Sequence, residues 1–154
     1  MRILVLSDTH GNLSRLDAVL RGAGTPDAII HLGDHASDAA KIAKRTGIPV
    51  LSVRGNCDYD DDVPSEAVFS FEDVRLFCTH GHLYWDETAL RYRAEELGCQ
   101  AVLHGHTHIP ALDYDGTVLD LNPGSLSLPR GGSKPGYAML LIEGKTVKGT
   151  LYAL

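Results

Sequence analysis

The sequence predicts an α/β protein made of two packed β-sheets with helices on the outside, a two-sheet β-sandwich flanked by helices. Three observations lead there. The first half alternates short apolar runs with stretches of helical period, the pattern of parallel strands joined by crossover helices. The last third changes to paired apolar runs across turn dipeptides, the pattern of hairpins. No linker, repeat or low-complexity stretch separates the two parts, so residues 1–154 read as a single domain of ordinary size.

Residues 3–6 are an unbroken apolar run, as in a strand buried on both faces. Asn12 is placed to cap a helix carrying Leu13, Leu16, Val19 and Leu20, ending near residues 22–24. A second strand over 28–32 closes on Gly33-Asp34. Ser37 is placed to cap a second helix through Ala39, Ala40, Ile42 and Ala43, which ends near Gly47. A third strand over 50–53 closes on Gly55-Asn56. Residues 58–64 read as an acidic surface loop, and 67–71 with 74–79 as a hairpin turning at Glu72-Asp73. A helix over about 87–97 is stopped by Gly98, and a short buried strand follows at 101–103. Residues 111–114 and 117–121 pair across Asp115-Gly116; 136–142 and 146–152 pair through Gly144.

Composition narrows the function classes. The chain is 44% hydrophobic and 22% charged, as expected of a soluble globular protein, with no run long enough to span a membrane. Residues 1–30 lack a secretory pattern. Cys57, Cys78 and Cys99 are odd in number and lack CxxC spacing, which points to a reducing cytoplasm rather than a disulfide scaffold. A formal charge of −6 disfavours binding to bulk nucleic acid. It leaves room for a phosphate ester, because bound dications can reverse the sign locally.

The chemistry-bearing residues fall just after predicted strands: Asp8-Thr9-His10, Gly33-Asp34, Gly55-Asn56-Cys57-Asp58, Thr79-His80-Gly81-His82 and Gly105-His106-Thr107-His108. In parallel α/β sheets, ligand sites gather at the carboxyl ends of strands, so five such motifs are expected to converge. Each alone is commonplace, since Gly-Asp and Gly-Asn are turn dipeptides and a lone His is usually structural. Carboxylate, imidazole and amide oxygen together suit hard and borderline divalent ions. By ligand counting, Asp8, His10 and His108 hold one ion with Asp34 shared, while Asn56, His80 and His106 hold a second. A bridging carboxylate sets two metals roughly 3.5–4 Å apart, the spacing of two-metal phosphoryl hydrolases. The expected nucleophile is a hydroxide bridging the ions and attacking phosphorus.

These motifs, in this order, resemble those of the calcineurin-like metallophosphoesterases, and the chain is most similar to the small bacterial and archaeal phosphodiesterases of that superfamily. Asn122-Pro123-Gly124-Ser125 and Ser127-Leu128-Pro129-Arg130-Gly131-Gly132 extend the resemblance to residue 132. It implies a helix-flanked double sheet and a dinuclear centre, manganese first, with nickel, zinc or iron as alternatives. It implies a small phosphodiester substrate, with a phosphomonoesterase, a nuclease or a metal-free protein-binding scaffold as the competing readings. One departure stands out. Many members have His after Gly-Asn, as a leaving-group acid or phosphate ligand, where this chain has Cys57. Good leaving groups such as aryl diesters are therefore expected to be favoured. Cys57 as a nucleophile is the weaker reading of that position.

Further residues fill in the site. His82 is expected to contact substrate or donate a proton. Asp58 is expected to orient Asn56 or Cys57, and Arg130 is a candidate phosphate clamp against the alternative of a solvated loop residue. His35 and His104 are expected to be bystanders. Tyr84 and Trp85 either stack on a base or anchor the following helix, with the anchor preferred. Free β-edges in the last third are compatible with a homo-oligomer.

Overall fold

The computed structural model describes residues 1–154. In chain order the elements are β1 (Arg2–Leu6), α1 (Leu16–Ala23), β2 (Ala28–His31), α2 (Ser37–Thr46), β3 (Val50–Ser52), β4 (Glu66–Phe71) and β5 (Val74–Thr79). There follow α3 (Glu87–Glu96), β6 (Ala101–Leu103), β7 (Ala111–Tyr114), β8 (Leu119–Asn122), β9 (Gly136–Glu143) and β10 (Thr146–Ala153). They form two mixed five-stranded sheets, ordered β10-β9-β1-β2-β3 and β4-β5-β6-β8-β7. Strands β1, β2 and β3 are parallel, with α1 and α2 as crossovers, as the alternating pattern predicts. No helix is long and apolar enough to cross a membrane.

Strand alternation divides the apolar residues into layers. Ile3 and Val5 face inward with Ile30 and Leu32, meeting Leu76, Cys78, Leu103 and Leu121 of the second sheet. Leu4, Leu6 and Ile29 face outward onto Leu16, Val19 and Ile42 of the first two helices. Phe77 and Val102 do the same for Leu90 and Ala94 of α3. Because both faces of these strands are covered, their sequences read as continuous apolar runs.

The late hairpins are divided between the sheets. The β9–β10 pair joins antiparallel to β1, whereas β8 inserts between β6 and β7, parallel to β6. Two expected caps are corrected. Helix α1 starts at Leu16 with no side-chain cap, and Asn12 Oδ1 instead accepts from the backbone and hydroxyl of Ser14, closing a turn. The loop after β1 has to shape Asp8 and His10 before a helix can begin. In α2 the cap position is Ala36, and Ser37 is already helical. In α3 it is Asp86, whose carboxylate accepts from Ala89 N at 2.9 Å.

Candidate metal centre

Five of the seven predicted ligands leave their strand ends through an unusual backbone conformation. Seven non-glycine residues have positive φ, and five of them are Asp8, His10, Asp34, His106 and His108. Asp and His tolerate this region better than most residues, but each still costs about 1 kcal/mol or more, strain that characteristically gathers at functional sites. Two glycines make the approach feasible. A Cβ on Gly105 would lie 2.0 Å from Ser7 Oγ and 2.7 Å from Asp8 Oδ2, and one on Gly55 would lie 2.2 Å from Asp34 Oδ1. No other residue lets these loops lie against the two carboxylates.

Asp8 is fully buried. Its Oδ2 accepts from Ser7 Oγ at 2.6 Å and from His106 N at 3.1 Å. Its Oδ1 has no hydrogen-bond partner, yet three imidazole nitrogens surround it: His108 Nε2 at 3.1 Å, His80 Nε2 at 3.7 Å and His10 Nε2 at 3.9 Å. Asp34 turns Oδ2 toward His10 Nε2 at 3.6 Å and Oδ1 toward His80 Nε2 at 3.3 Å, so its two oxygens face the two expected ligand sets. Burial works to raise the Asp34 pKa, but His80 and the Cys57 N–H outweigh it and hold the carboxyl well below the usual range.

The histidines are oriented from behind. His80 Nδ1 donates to Leu32 O at 2.8 Å and His108 Nδ1 donates to Leu128 O at 2.6 Å, so both present Nε2 to the centre. His80 Nε2 is buried without a hydrogen-bond partner. Burial acts to lower the His80 pKa, but Asp34 and Asp8 raise it overall. Ligand atoms of Asp8, His10, Asp34 and His108 all lie within 4.8 Å of one another. Orphaned buried carboxylate and imidazole atoms, pointed at one another at these distances, fit a divalent cation held between them.

The remaining expected ligands sit farther out. His106 is exposed, with its ring centroid 5.2 Å from that of His80. Asn56 is exposed, and its amide contacts Cys57 Sγ at 3.8 Å. His82 lies beside both histidines, with ring centroids 5.5 Å from His80 and 6.2 Å from His106, and its Nδ1 is buried and unpartnered. Burial, with His80 and His106 adding to it, lowers the His82 pKa. Cys57 is exposed with its N–H on Asp34, and desolvation together with that carboxylate raises its thiol pKa. A thiol held protonated is a poor nucleophile.

Other side chains around the centre make contacts of their own. Asp58 does not reach the side chain of Asn56 or Cys57: its oxygens accept from His35 N, Ala36 N and Gly55 N at 2.7–2.8 Å, bolting the Gly55 loop to the Asp34 loop. Arg130 has an exposed side chain, in keeping with a solvated loop residue, while its backbone N–H donates to His108 O and its carbonyl accepts from Ser133. Trp85 does not anchor α3, since it is 96% exposed, whereas Tyr84 packs on Phe77 and bonds Glu66. His104, expected to be a bystander, is buried against Asp120 at 2.7 Å.

Asn122, Ser125 and Ser127, named in the sequence only as part of the motif, support the centre from behind, and Asp38 does so without having been singled out. Asn122 Nδ2 holds Gly105 O and Thr107 Oγ1, while Ser125 and Ser127 hydroxyls both donate to Asp8 O. Asp38, fully buried, accepts from Thr9 Oγ1 and Gly11 N. For Thr9 and Asp38 the available signal was the polar run Asp8-Thr9-His10 shortly after an apolar strand.

Comparison with known proteins agrees with this geometry. Residues 1–145 match the model of the calcineurin-like phosphoesterase superfamily domain. The chain belongs to that superfamily. It is 35% identical over 147 residues to the probable metallophosphoesterase YsnB of Bacillus subtilis, covering 93% of this chain and 85% of that one. Against the phosphodiesterase YfcE of Escherichia coli K12 it is 32% identical over 165 residues, covering 91% and 87%. Among solved structures, a predicted phosphoesterase from Streptococcus pneumoniae superposes with a TM-score of 0.83 at 31% identity, over 99% of this chain and 88% of that one. The zinc complex of Vps29 from Entamoeba histolytica reaches 0.79 at 21% identity, over 99% and 98%, a likeness of fold alone.

Proposed function

We propose that this chain is a dinuclear metal-dependent phosphodiesterase. The observation that carries the reading is Asp8 Oδ1, a buried carboxylate oxygen without a hydrogen bond at the focus of three imidazole nitrogens, beside an Asp34 whose two oxygens face opposite ways. Asp8, His10, Asp34 and His108 would hold one divalent ion; Asp34, Asn56, His80 and His106 would hold the other. We read manganese as the native metal, with nickel, zinc or iron as the alternatives. When bound, two such ions supply a positive surface for an anionic ester and a deprotonated water at neutral pH for attack on phosphorus.

The protein groups around that chemistry divide the remaining work. His82 and Cys57 line the approach and are placed to contact the phosphoryl oxygens or the leaving group, and Arg130 is free to swing toward a bound anion. Asp58 acts at one remove by fixing the Gly55 loop. Without an imidazole at position 57, protonation of a poor alkoxide is weakly served, so aryl diesters should exceed monoesters and alkyl diesters. The similarity of this chain to a protein named as a phosphodiesterase, YfcE, favours this reading. Three unpaired cysteines suit a reducing cytoplasm, and the free edges of β7 and β10 would admit a homo-oligomer.

The test is hydrolysis of bis(p-nitrophenyl) phosphate beside p-nitrophenyl phosphate by metal-stripped protein with and without manganese. Manganese-dependent turnover of the diester well above the monoester is expected. No turnover of either ester with any of the four metals would overturn the proposal.

A further inference from the structure

We infer that His31, acting through Thr9 and Asp38, is a positioning residue for the metal centre, tying the loop that carries Asp8 and His10 to the loop that carries Asp34. The inference rests on the metal-centre reading above and adds to it residues that touch neither metal nor substrate.

His31 ends β2 and is fully buried, as are Thr9 and Asp38. Its two ring nitrogens serve different loops. Nδ1 accepts from Gly33 N at 3.2 Å, one residue before Asp34, which leaves the proton on Nε2. Nε2 then donates to Thr9 Oγ1 at 2.9 Å, between Asp8 and His10. The Thr9 hydroxyl, having accepted, donates to Asp38 Oδ2 at 2.8 Å, and the same oxygen takes Gly11 N–H at 2.9 Å. Donors and acceptors alternate without conflict along the path Gly33, His31, Thr9, Asp38, Gly11. That path brackets His10, adjoins Asp8 through Thr9, and reaches the residue beside Asp34.

Apolar side chains of the same shape would fill this space with little or no loss of stability, because replacing both partners of a hydrogen bond together leaves no buried group unsatisfied. What a connected polar path provides is one fixed geometry. That matters here, since Asp8, His10 and Asp34 all sit at positive φ and would relax if their loops were released. Asp38 is further held by Lys41 Nζ at 3.0 Å, which balances its charge from the solvent side, and His35 Nδ1 lies 3.2 Å from the same carboxylate.

The test uses metal-stripped full-length protein titrated with manganese by calorimetry and with cobalt by visible absorption, alongside urea midpoints. Thr9→Val keeps the shape and cuts the path; Thr9→Ser keeps the path. Thr9→Val should weaken manganese binding roughly 10–100-fold and alter the cobalt spectrum, the usual consequence of losing support behind a ligand. Thr9→Ser should stay within about threefold of wild type, given that its hydroxyl still relays the bond. If Thr9→Val does not fold, His31→Gln, whose amide can still donate to Thr9 but which has no acceptor at the position of Nδ1 to hold Gly33, serves in its place and should bind manganese several-fold more weakly. A folded Thr9→Val or His31→Gln that binds manganese like wild type, with only its urea midpoint lowered, makes the path structural and overturns the inference. Wild type that binds no divalent ion overturns the metal-centre reading itself, a different result seen in a different sample.

Discussion

Asp8, His10, Asp34 and His108 meet in the interior with their ligand atoms within 4.8 Å, whereas Asn56 and His106, expected to complete the second ligand set, stand at the surface. The enclosed side is assembled by backbone: positive φ, glycine-tight loops, and imidazoles tethered through Nδ1 to carbonyls. The open side depends on an exposed amide and an exposed ring, neither of which is tethered to a backbone carbonyl. The difference teaches that retention of metal and turnover of substrate should be separable by mutation, with the enclosed side governing the first.

Four measurements would sharpen or break that contrast. The largest effect is expected from Asp34→Ala, because this carboxylate faces both sides: diester turnover should fall about 10³-fold, in line with loss of a principal electrostatic group. Elemental analysis should show bound metal lost as well. Retention of full metal content by this variant would contradict the shared role.

The second is a pH titration of stability in the metal-free protein. Burial holds the His31 pKa down at about 4, against an ordinary value of 6.5, despite the opposing pull of Asp38. A group whose folded pKa is depressed is neutral in the folded state, so its contribution is fully present above pH 6.5 and is lost as pH falls toward 4. The loss is on the order of 3 kcal/mol, read as a falling urea midpoint that His31→Gln largely abolishes. A wild-type midpoint that stays flat across this window would remove His31 from the account.

Third, Asn56→Ala and His106→Ala should each lower turnover roughly 10–100-fold while the enclosed side still retains an ion on gel filtration. Equal loss of metal in these variants and in Asp34→Ala would erase the contrast. The smallest expected change is a gain. Cys57→His, at an exposed position, should raise hydrolysis of an alkyl diester about tenfold, less than the ~10²–10⁴ of an evolved general acid, and leave the aryl diester nearly unchanged. Equal gains on both esters would mean that the imidazole acts on something other than the leaving group.

How much of this was visible beforehand varies with how local the cause is. The parallel βαβαβ half was legible because strand 3–6, its crossover helix and strand 28–32 each follow from apolar spacing. The clustering of the candidate ligands was legible because metal chemistry restricts the side-chain types and strand ends restrict the places. Sheet membership of the late hairpins was not, since nothing within residues 136–152 says that they pair with residues 2–5. Asn12 misled because its capping chemistry was real but was spent on a turn. His31, Thr9 and Asp38 are far apart in sequence, and only packing makes them one path. Trp85 was expected against α3 on general grounds of burial, and the structure leaves it in solvent.

The centre also straddles the sandwich. Asp8, His10, Asp34 and Asn56 leave β1, β2 and β3 of one sheet; His80, His106 and His108 leave β5 and β6 of the other. Between the sheets lies hydrocarbon, Val5, Ile30 and Leu32 against Cys78, Leu103 and Leu121. The thickness of that filling, about 10 Å in packed sheets, works as a gauge block that sets how far the carboxylates stand from the imidazoles. An enzyme can lose about 10²-fold for a misplacement of 1 Å. A methylene trimmed from one of these interior residues therefore retunes the jaws of the site, and drift in the least reactive part of the molecule is an adjustment of its chemistry.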